Sequence, residues 1–134
     1  MSAVDVGALA PWAAETRRVE KPWGYELIWA ATDIYVGKVL FVKAGHSLSL
    51  QYHEQKDESW LIQSGRARIQ LGPVGADSLE EEEVGPGAAF HYTPGTVHRI
   101  TAVEDTTILE VSTPHLDDVV RLEDSYGRAG TSTP

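Results

Sequence analysis

From Trp23 onward the chain consists of short stretches in which apolar and polar residues alternate. Such stretches are typical of β-strands, whose side chains point in turn to the two faces of a sheet. Turn signals such as Ser64-Gly65 and Pro94-Gly95 separate them. No stretch keeps an apolar period of about 3.6 residues, so we expect antiparallel sheets without crossover helices. The pattern predicts strands over 25–30, 34–43, 47–53, 58–63, 66–71, 78–84, 88–92, 98–103 and 106–112.

Many short strands joined by Gly/Pro turns predict an all-β fold, either a sandwich or a barrel. Residues 1–20 lack periodicity and are interpreted as an N-terminal arm with a short helical turn around 11–16. Trp12 suggests that this arm docks onto something apolar. We expect the β-domain to cover 21–128, including a closing arm from 113, and a flexible tail to cover 129–134.

Composition narrows the class of protein further. A chain of 134 residues, with 42% hydrophobic and 23% charged residues, is expected to form one soluble globular domain. It has no apolar run of membrane-spanning length and no secretory signal, so we expect a cytoplasmic protein with no membrane partner. The absence of cysteine excludes disulfides and thiolate metal sites. A net charge of −9 disfavours nucleic acid, and an anionic substrate would need a local basic pocket.

Alternation also assigns side chains to faces. Between 47 and 53, one face carries the polar residues and the other carries Leu48, Leu50 and Tyr52. If the polar face lies inside the barrel, the apolar face needs a cover. This predicts a homodimer, with the N-terminal arm packed across the interface or exchanged. Four glutamates at 80–83 are interpreted as a solvated edge strand protected by its charge.

Lys38 shares the more apolar face of its strand with Val36, Leu40 and Val42. The pattern therefore indicates an inward lysine, which is costly unless it meets an anion or a carboxylate. The alternative, an ordinary surface lysine on a misassigned face, stays open.

The candidate chemistry lies in two segments. Gln51 and His53 are two residues apart on one strand, and Glu58 follows five residues later across a turn. His98 comes after the Pro94-Gly95 turn. Imidazole, carboxylate and amide groups on neighbouring strands suit a divalent metal ion.

These two segments resemble the two motifs of the cupin superfamily, with Gln51 in place of the first motif's first histidine. A closer resemblance covers nearly the whole chain. The segments Lys21-Pro22-Trp23-Gly24-Tyr25-Glu26, Leu48-Ser49-Leu50-Gln51-Tyr52-His53, Pro94-Gly95-Thr96-Val97-His98-Arg99 and 118–128 are similar, in order, to the C-terminal domain of type II phosphomannose isomerases. In that family the Gln/His pair is expected.

The resemblance implies a single-domain cupin, a jelly-roll β-barrel. Proteins of that family usually fuse this domain to a mannose-1-phosphate guanylyltransferase, and we expect this chain to stand alone because it is too short for one and has no nucleotide-binding motif. The resemblance implies one divalent ion (Zn, Mn, Fe, Co or Ni) held by Gln51, His53, Glu58 and His98. It also implies an isomerase for a sugar or sugar phosphate, with the interconversion of mannose-6-phosphate and fructose-6-phosphate as the type reaction. The chain departs from the family pattern at Lys56, Ser59 and Ala102, which bears on the substrate more than on the metal.

Aldose–ketose isomerisation also needs a group that moves a proton between neighbouring carbons. The candidates are Lys38 and His91. By strand alternation Arg66, Arg68 and Arg99 point outward. A phosphate would then meet Lys21, Lys38 or the closing-arm arginines, Arg121 and Arg128. Two alternative functions stay open: a metal-binding cupin without isomerase activity, acting as a sugar-binding or regulatory module, and an oxygenase or cyclase for a non-sugar substrate.

Overall fold

The computed structural model describes residues 4–127 and residue 129. Within them the chain forms one 3-10 turn, Gly7–Trp12, and eleven β-strands. In chain order the strands are β1 (Arg17–Lys21), β2 (Gly24–Ala31), β3 (Val36–Val42), β4 (Leu50–Tyr52), β5 (Glu58–Ser64), β6 (Ala67–Pro73), β7 (Glu80–Val84), β8 (Ala89–Tyr92), β9 (Thr96–Ala102), β10 (Thr106–Ser112) and β11 (Val120–Glu123). No helix of this described part is long and apolar enough to cross a membrane.

The strands form two antiparallel sheets. The first has six strands in the order β1-β2-β3-β10-β5-β8, and the second has five in the order β11-β4-β9-β6-β7. This confirms the predicted all-β, antiparallel fold of one small domain. All nine strands predicted from alternation are present, although the stretch 47–53 is regular only over β4.

The inner faces of the two sheets share one apolar core. Ile62 and Ile108 of the first sheet pack in the same buried cluster as Ile69 and Ile100 of the second. All four side chains are almost fully excluded from solvent. Burial of this kind supplies the main free energy that holds two sheets face to face. Beside this core the barrel buries an unusual number of charged side chains, and these define the site described below.

Gly65 shows how tightly the connections are built. Its φ is +93°, and a Cβ at this position would lie 2.3 Å from the carbonyl oxygen of Asp105. Only glycine combines this backbone conformation with so close an approach. The Ser64-Gly65 turn therefore fixes the end of β5 against the loop that precedes β10.

The structure corrects three expectations. Leu48 is not on an outer face but belongs to the core cluster, and the next residue, Ser49, is buried as well. Strict alternation fails there because the chain makes only an isolated bridge at Ser47 before β4 begins. The helical turn lies earlier than predicted, at Gly7–Trp12, and Trp12 is 80% exposed in the single chain.

The third correction concerns the domain boundary. Residues 17–20 belong to β1, which pairs with β2, so the arm is shorter than 1–20. At the other end β11 pairs with β4, which makes the closing arm part of the second sheet. Arg128 and, apart from Ala129, the tail at 129–134 lie outside the described residues.

The acidic run is an edge strand, as predicted. Glu80–Val84 forms β7 at the end of the second sheet, and its four glutamates are exposed. Arg66 and Arg68 point outward, also as predicted, and form ion pairs of 3.0 Å with Glu83 and Glu81.

Candidate metal centre

Three buried side chains from different strands converge at one point. His53 follows β4, Glu58 begins β5, and His98 lies in β9. The Nε2 atom of His53 is 3.4 Å from Glu58 Oε2, and the Nε2 atom of His98 is 3.2 Å from Glu58 Oε1. One ligand atom from each of the three residues lies within 4.8 Å of the others. The structure thus brings together three of the four predicted metal ligands.

The imidazole rings are held so that both Nε2 atoms face the carboxylate. Nδ1 of His98 contacts the carbonyl oxygen of Thr96 at 2.9 Å, and Nδ1 of His53 contacts the carbonyl oxygen of Asp118. Because a carbonyl oxygen only accepts, each Nδ1 donates, and each neutral ring keeps its lone pair on Nε2.

Among the described residues, neither Nε2 atom has a hydrogen-bond partner, and neither does Glu58 Oε1. Buried polar atoms are almost always satisfied in proteins, so three converging unsatisfied ligand atoms call for a cation between them. A divalent ion fits this donor set, and the Nδ1–carbonyl contacts are those typical of metal-bound histidines.

Glu58 is ionised in this environment. Burial alone raises the pKa of its carboxyl group, but the close approach of the His53 and His98 imidazoles and the charge of Lys56 outweigh burial. The pKa of Glu58 is therefore held well below its ordinary value. The centre has one anionic ligand at neutral pH.

Gln51, the fourth predicted ligand, stands directly opposite His98 in the β4–β9 pair and lines the same cavity as His53. Its amide oxygen accepts a hydrogen bond of 2.5 Å from the hydroxyl group of Ser49. This contact orients the amide, and a carbonyl oxygen retains a second lone pair for a metal ion. Gln51 as a ligand stays a prediction.

Two aromatic rings fix the orientation of His98. Tyr92 stacks on the imidazole with ring centroids 4.3 Å apart, and Trp60 meets it edge-on at 5.6 Å. Burial, with the charges of Glu58 and Glu110, raises the pKa of Tyr92 well above its ordinary value. Tyr92 is consequently a neutral wall of the site.

Lys56 is the residue of this centre that the sequence analysis did not assign. Its ammonium lies 2.8 Å from Glu58 Oε2 and 3.5 Å from Glu110 Oε2. Glu110 in turn accepts a 3.0 Å hydrogen bond from the indole of Trp60. Burial lowers the pKa of Lys56, but the charges of Glu110 and Glu58 outweigh burial and raise it. One signal in the sequence could have indicated Lys56: a buried carboxylate such as Glu58 needs a cation nearby, and Lys56 is two residues away in the chain.

A cavity next to the ligands is rich in cations. Lys38 lies inside the barrel, as predicted, with its ammonium 3.3 Å from Glu26 Oε2. Lys21 approaches the other oxygen of Glu26 at 3.8 Å. Arg121 of β11 is also buried, and Lys56 completes a set of four cationic residues lining the cavity with two carboxylates, Glu26 and Glu110. The lining is therefore net positive in a chain whose net charge is −9.

His91 does not join this group. In β8 the side chain of Tyr92 points into the core, so the preceding His91 points outward. Its Nε2 atom lies 2.8 Å from Asp57 Oδ1, and its side chain is 58% exposed. The structure does not bring His91 to the metal centre, because alternation in β8 sends it to the opposite face.

Asp118 is a second residue that the sequence analysis passed over. Its carboxylate accepts hydrogen bonds from the backbone N–H groups of Glu54, Gln55 and Lys56, at 3.0, 2.6 and 2.8 Å. Burial raises the pKa of Asp118, but these three donors together outweigh burial and lower the pKa. The loop between His53 and Glu58 is thereby tied to the closing arm.

Solved structures of similar fold define the class. CapF from Staphylococcus aureus superposes with a TM-score of 0.69 at 21% identity, over 86% of this chain and 34% of that one. KdgF from Halomonas sp. gives 0.64 at 23% identity, over 78% and 89%. Bacillus subtilis oxalate decarboxylase gives 0.66 at 18%, over 79% and 30%. The fold is that of a cupin.

Sequence comparison gives the family. The model of the mannose-6-phosphate isomerase C-terminal family matches residues 12–124. The chain belongs to this family. It is 37% identical over 117 residues to the mannose-1-phosphate guanylyltransferase ManC of Salmonella typhimurium, and 33% identical over 119 residues to the xanthan biosynthesis protein XanB of Xanthomonas campestris. Each match covers 84% of this chain but only 23% and 24% of the relative, so the chain spans about a quarter of their length.

Proposed function

We propose that this protein is a metal-dependent isomerase that interconverts an aldose phosphate and a ketose phosphate, with mannose-6-phosphate as the first substrate to test. The observation that carries the proposal is the convergence of His53, Glu58 and His98 beside a buried, net positive cavity. Membership of the mannose-6-phosphate isomerase C-terminal family supports it.

The metal would be held by His53, Glu58, His98 and the amide oxygen of Gln51. A divalent ion bound there would act as a Lewis acid on the carbonyl oxygen of the sugar. Zn, Mn, Fe, Co and Ni all suit nitrogen and oxygen donors. Manganese is a sensible first choice, because oxalate decarboxylase of Bacillus subtilis, which shares the fold, has Mn(II) centres.

The protein's own residues would move the proton between C2 and C1 of the sugar. Lys38 and Glu26 face the cavity as an ion pair, so an acceptor and a donor of protons stand side by side. We assign proton transfer to this pair: the Glu26 carboxylate accepts the proton from C2, and the Lys38 ammonium donates a proton to C1. A proton then passes from Glu26 to Lys38 across their 3.3 Å contact and restores the pair, while the hydroxyl proton moves from O2 to O1.

The remaining cations suit the phosphate group. Lys21 and Arg121 line the same cavity. Arg121 is buried and the side chain of Lys21 is only 6% exposed, so an anion bound there would be largely shielded from water. Charge-assisted hydrogen bonds to phosphate are strong in such surroundings. The sugar would then extend from the phosphate toward the metal centre.

The Lys38→Met variant tests the proposal. It keeps most of the side-chain volume and removes the charge, so we expect turnover of mannose-6-phosphate to fall by about 10²–10⁴-fold, the usual contribution of an acid–base group. Metal content should stay that of the wild-type protein. Both are measured on metal-reconstituted protein, by a coupled isomerase assay and by elemental analysis. Lys43→Met, at an exposed position, is the matched control.

Wild-type protein that binds metal but isomerises no sugar phosphate would contradict the proposal and favour a binding module. Oxygen consumption by the iron-loaded protein, without isomerase activity, would favour the oxygenase alternative. Unchanged turnover in Lys38→Met would be compatible with an isomerase but would show that Lys38 does not transfer the proton.

We further propose that two copies pair through the outer face of the six-stranded sheet. Leu61, Leu109 and Val111 lie side by side there, with Ala89 of β8 beside them. Val111 is 58% exposed and Leu61 39% exposed. The apolar groove they line contains no carboxylate, in a chain with 20 acidic residues. Two such faces can approach each other without the repulsion that the rest of the surface would cause.

The N-terminal arm favours a second copy as the occupant. Leu9 and Trp12 are 65% and 80% exposed, so they find no cover on their own barrel. The arm leads directly into β1, the edge strand of the same sheet. In a two-fold pair each copy would offer both an apolar face and an apolar arm, so both surfaces would be covered at once.

Val111→Lys should convert the protein to a monomer, because it places two like charges in the middle of a symmetric interface. Sedimentation velocity at micromolar concentration measures the change. Val74→Lys is the control. Val74 is 51% exposed, but it follows β6 of the second sheet and is not part of the proposed interface. A monomeric wild-type protein, or a Val111→Lys variant that remains dimeric, would contradict the pairing.

A further inference from the structure

Asp118 contacts the metal centre in two ways at once. Its backbone carbonyl oxygen accepts the Nδ1–H of His53, and its carboxylate accepts three backbone N–H groups of the loop that follows His53. The residue belongs to the closing arm, 65 positions after His53 in the chain. Its neighbour Val119 is buried and lines the cavity.

The loop at 54–57 separates His53 from Glu58, and its course determines how far apart these two side chains stand. Glu54 and Gln55 are exposed and bury no apolar surface that would hold the loop in one shape. The three hydrogen bonds to Asp118 span most of it. Bonds from N–H groups to an ionised carboxylate are among the stronger ones in proteins.

We propose that Asp118 is a positioning residue for the metal centre, which holds the His53 ring and the spacing between His53 and Glu58 in the arrangement that a metal ion requires. This inference rests on the proposed metal site. The carboxylate acts through the loop: it is not among the three ligand groups that converge at the centre, and it accepts the three N–H groups of the loop. The backbone carbonyl sets which nitrogen of His53 faces the ion.

The same contact sets the position of Lys56. The N–H group of Lys56 is one of the three donors to Asp118, while its ammonium contacts Glu58. Asp118 therefore fixes the positions of His53 and Glu58, the ligands on either side of the loop, and of Lys56 between them. Loss of such supporting contacts typically weakens metal affinity by about 10–100-fold.

The test compares Asp118→Ala with Asp117→Ala in the full chain. Asp117 is adjacent and exposed, and its side chain makes none of these contacts. Co²⁺ is the probe, because its visible absorption reports the coordination geometry as well as binding. We expect Asp118→Ala to lose about 10–100-fold in Co²⁺ affinity and to show an altered spectrum. Asp117→Ala should match the wild type.

Asp118→Asn separates positioning from a general loss of stability. Asparagine keeps one acceptor oxygen in place, so its Co²⁺ affinity should lie between those of the wild type and Asp118→Ala. An Asp118→Ala variant that binds Co²⁺ like Asp117→Ala, with the same spectrum, overturns the inference and leaves the metal site standing. A wild-type protein that binds no divalent ion overturns both.

If Asp118→Ala fails to fold, hydrogen exchange on the wild type decides. The amides of Glu54, Gln55 and Lys56 should be protected, and Co²⁺ should slow their exchange further, because metal binding and the Asp118 contacts stabilise the same loop conformation. Exchange of these three amides that is fast, or indifferent to Co²⁺, overturns the inference.

Discussion

Glu58→Gln should abolish metal binding while leaving the shape of the centre almost unchanged. The carboxylate is the one anionic group among the proposed ligands, and both histidine Nε2 atoms face it. An amide removes the charge that attracts a divalent ion. We expect an affinity loss well beyond the roughly 100-fold upper range of supporting contacts. Metal content after dialysis against a stated excess of Mn²⁺ or Zn²⁺ measures it.

Thermal unfolding gives an independent readout of the same prediction. A metal ion that binds only the folded state raises the melting temperature of the wild-type protein. Glu58→Gln should show no such rise, whereas Glu82→Gln, on the exposed edge strand, should respond like the wild type. Stoichiometric metal in Glu58→Gln would contradict the proposed centre. So would a melting temperature of the wild type that is insensitive to every divalent ion tested.

Lys56→Met should strongly destabilise the metal-free protein. Lys56 lies between two buried carboxylates, Glu58 and Glu110, and removing it leaves both without their cation. Breaking a buried ion pair on one side typically costs about 3–5 kcal/mol of unfolding free energy. Urea denaturation of metal-free protein measures the loss. Lys43→Met, at an exposed site, should change stability by no more than about 0.5 kcal/mol.

Metal should rescue part of that loss. An ion bound at the centre supplies the positive charge that Glu58 needs, so the gap between Lys56→Met and the wild type should narrow when metal is present. A Lys56→Met variant as stable as the wild type without metal would show that Lys56 does not compensate these carboxylates. If metal leaves the difference in unfolding free energy between the two proteins unchanged, the ion and Lys56 do not both compensate the charge of Glu58.

Most of the fold could be predicted from alternation because its central strands bury one face and expose the other. Thr106–Ser112 is a clear case, since its alternating burial follows the sequence pattern along the whole strand. β1 and β11 were missed for a physical reason. Each is a short edge strand whose pairing comes from the neighbouring strand, and a segment such as Arg17–Lys21 carries too many charges to show a pattern.

Part of the candidate site could also be predicted from the sequence, and part could not. The convergence of His53, Glu58 and His98 and the inward course of Lys38 were predicted, because motif spacing and strand alternation constrain them. Lys56 and Asp118 were not assigned, because both act from loops, where no periodicity indicates which way a side chain points. Leu48 was placed on the wrong face because a single irregular stretch before β4 shifts the alternation.

The acidic edge strand has a consequence for how this protein behaves when it is concentrated. Exposed strand edges are templates on which further chains can add and grow into fibrils. β7 presents four glutamates at one end of its sheet. Addition of a second β7 strand to this edge would bring like charges together. The pairing proposed for the sheet face, by contrast, is complete after two copies, so the charge of β7 favours that closed assembly over growth from the β7 edge.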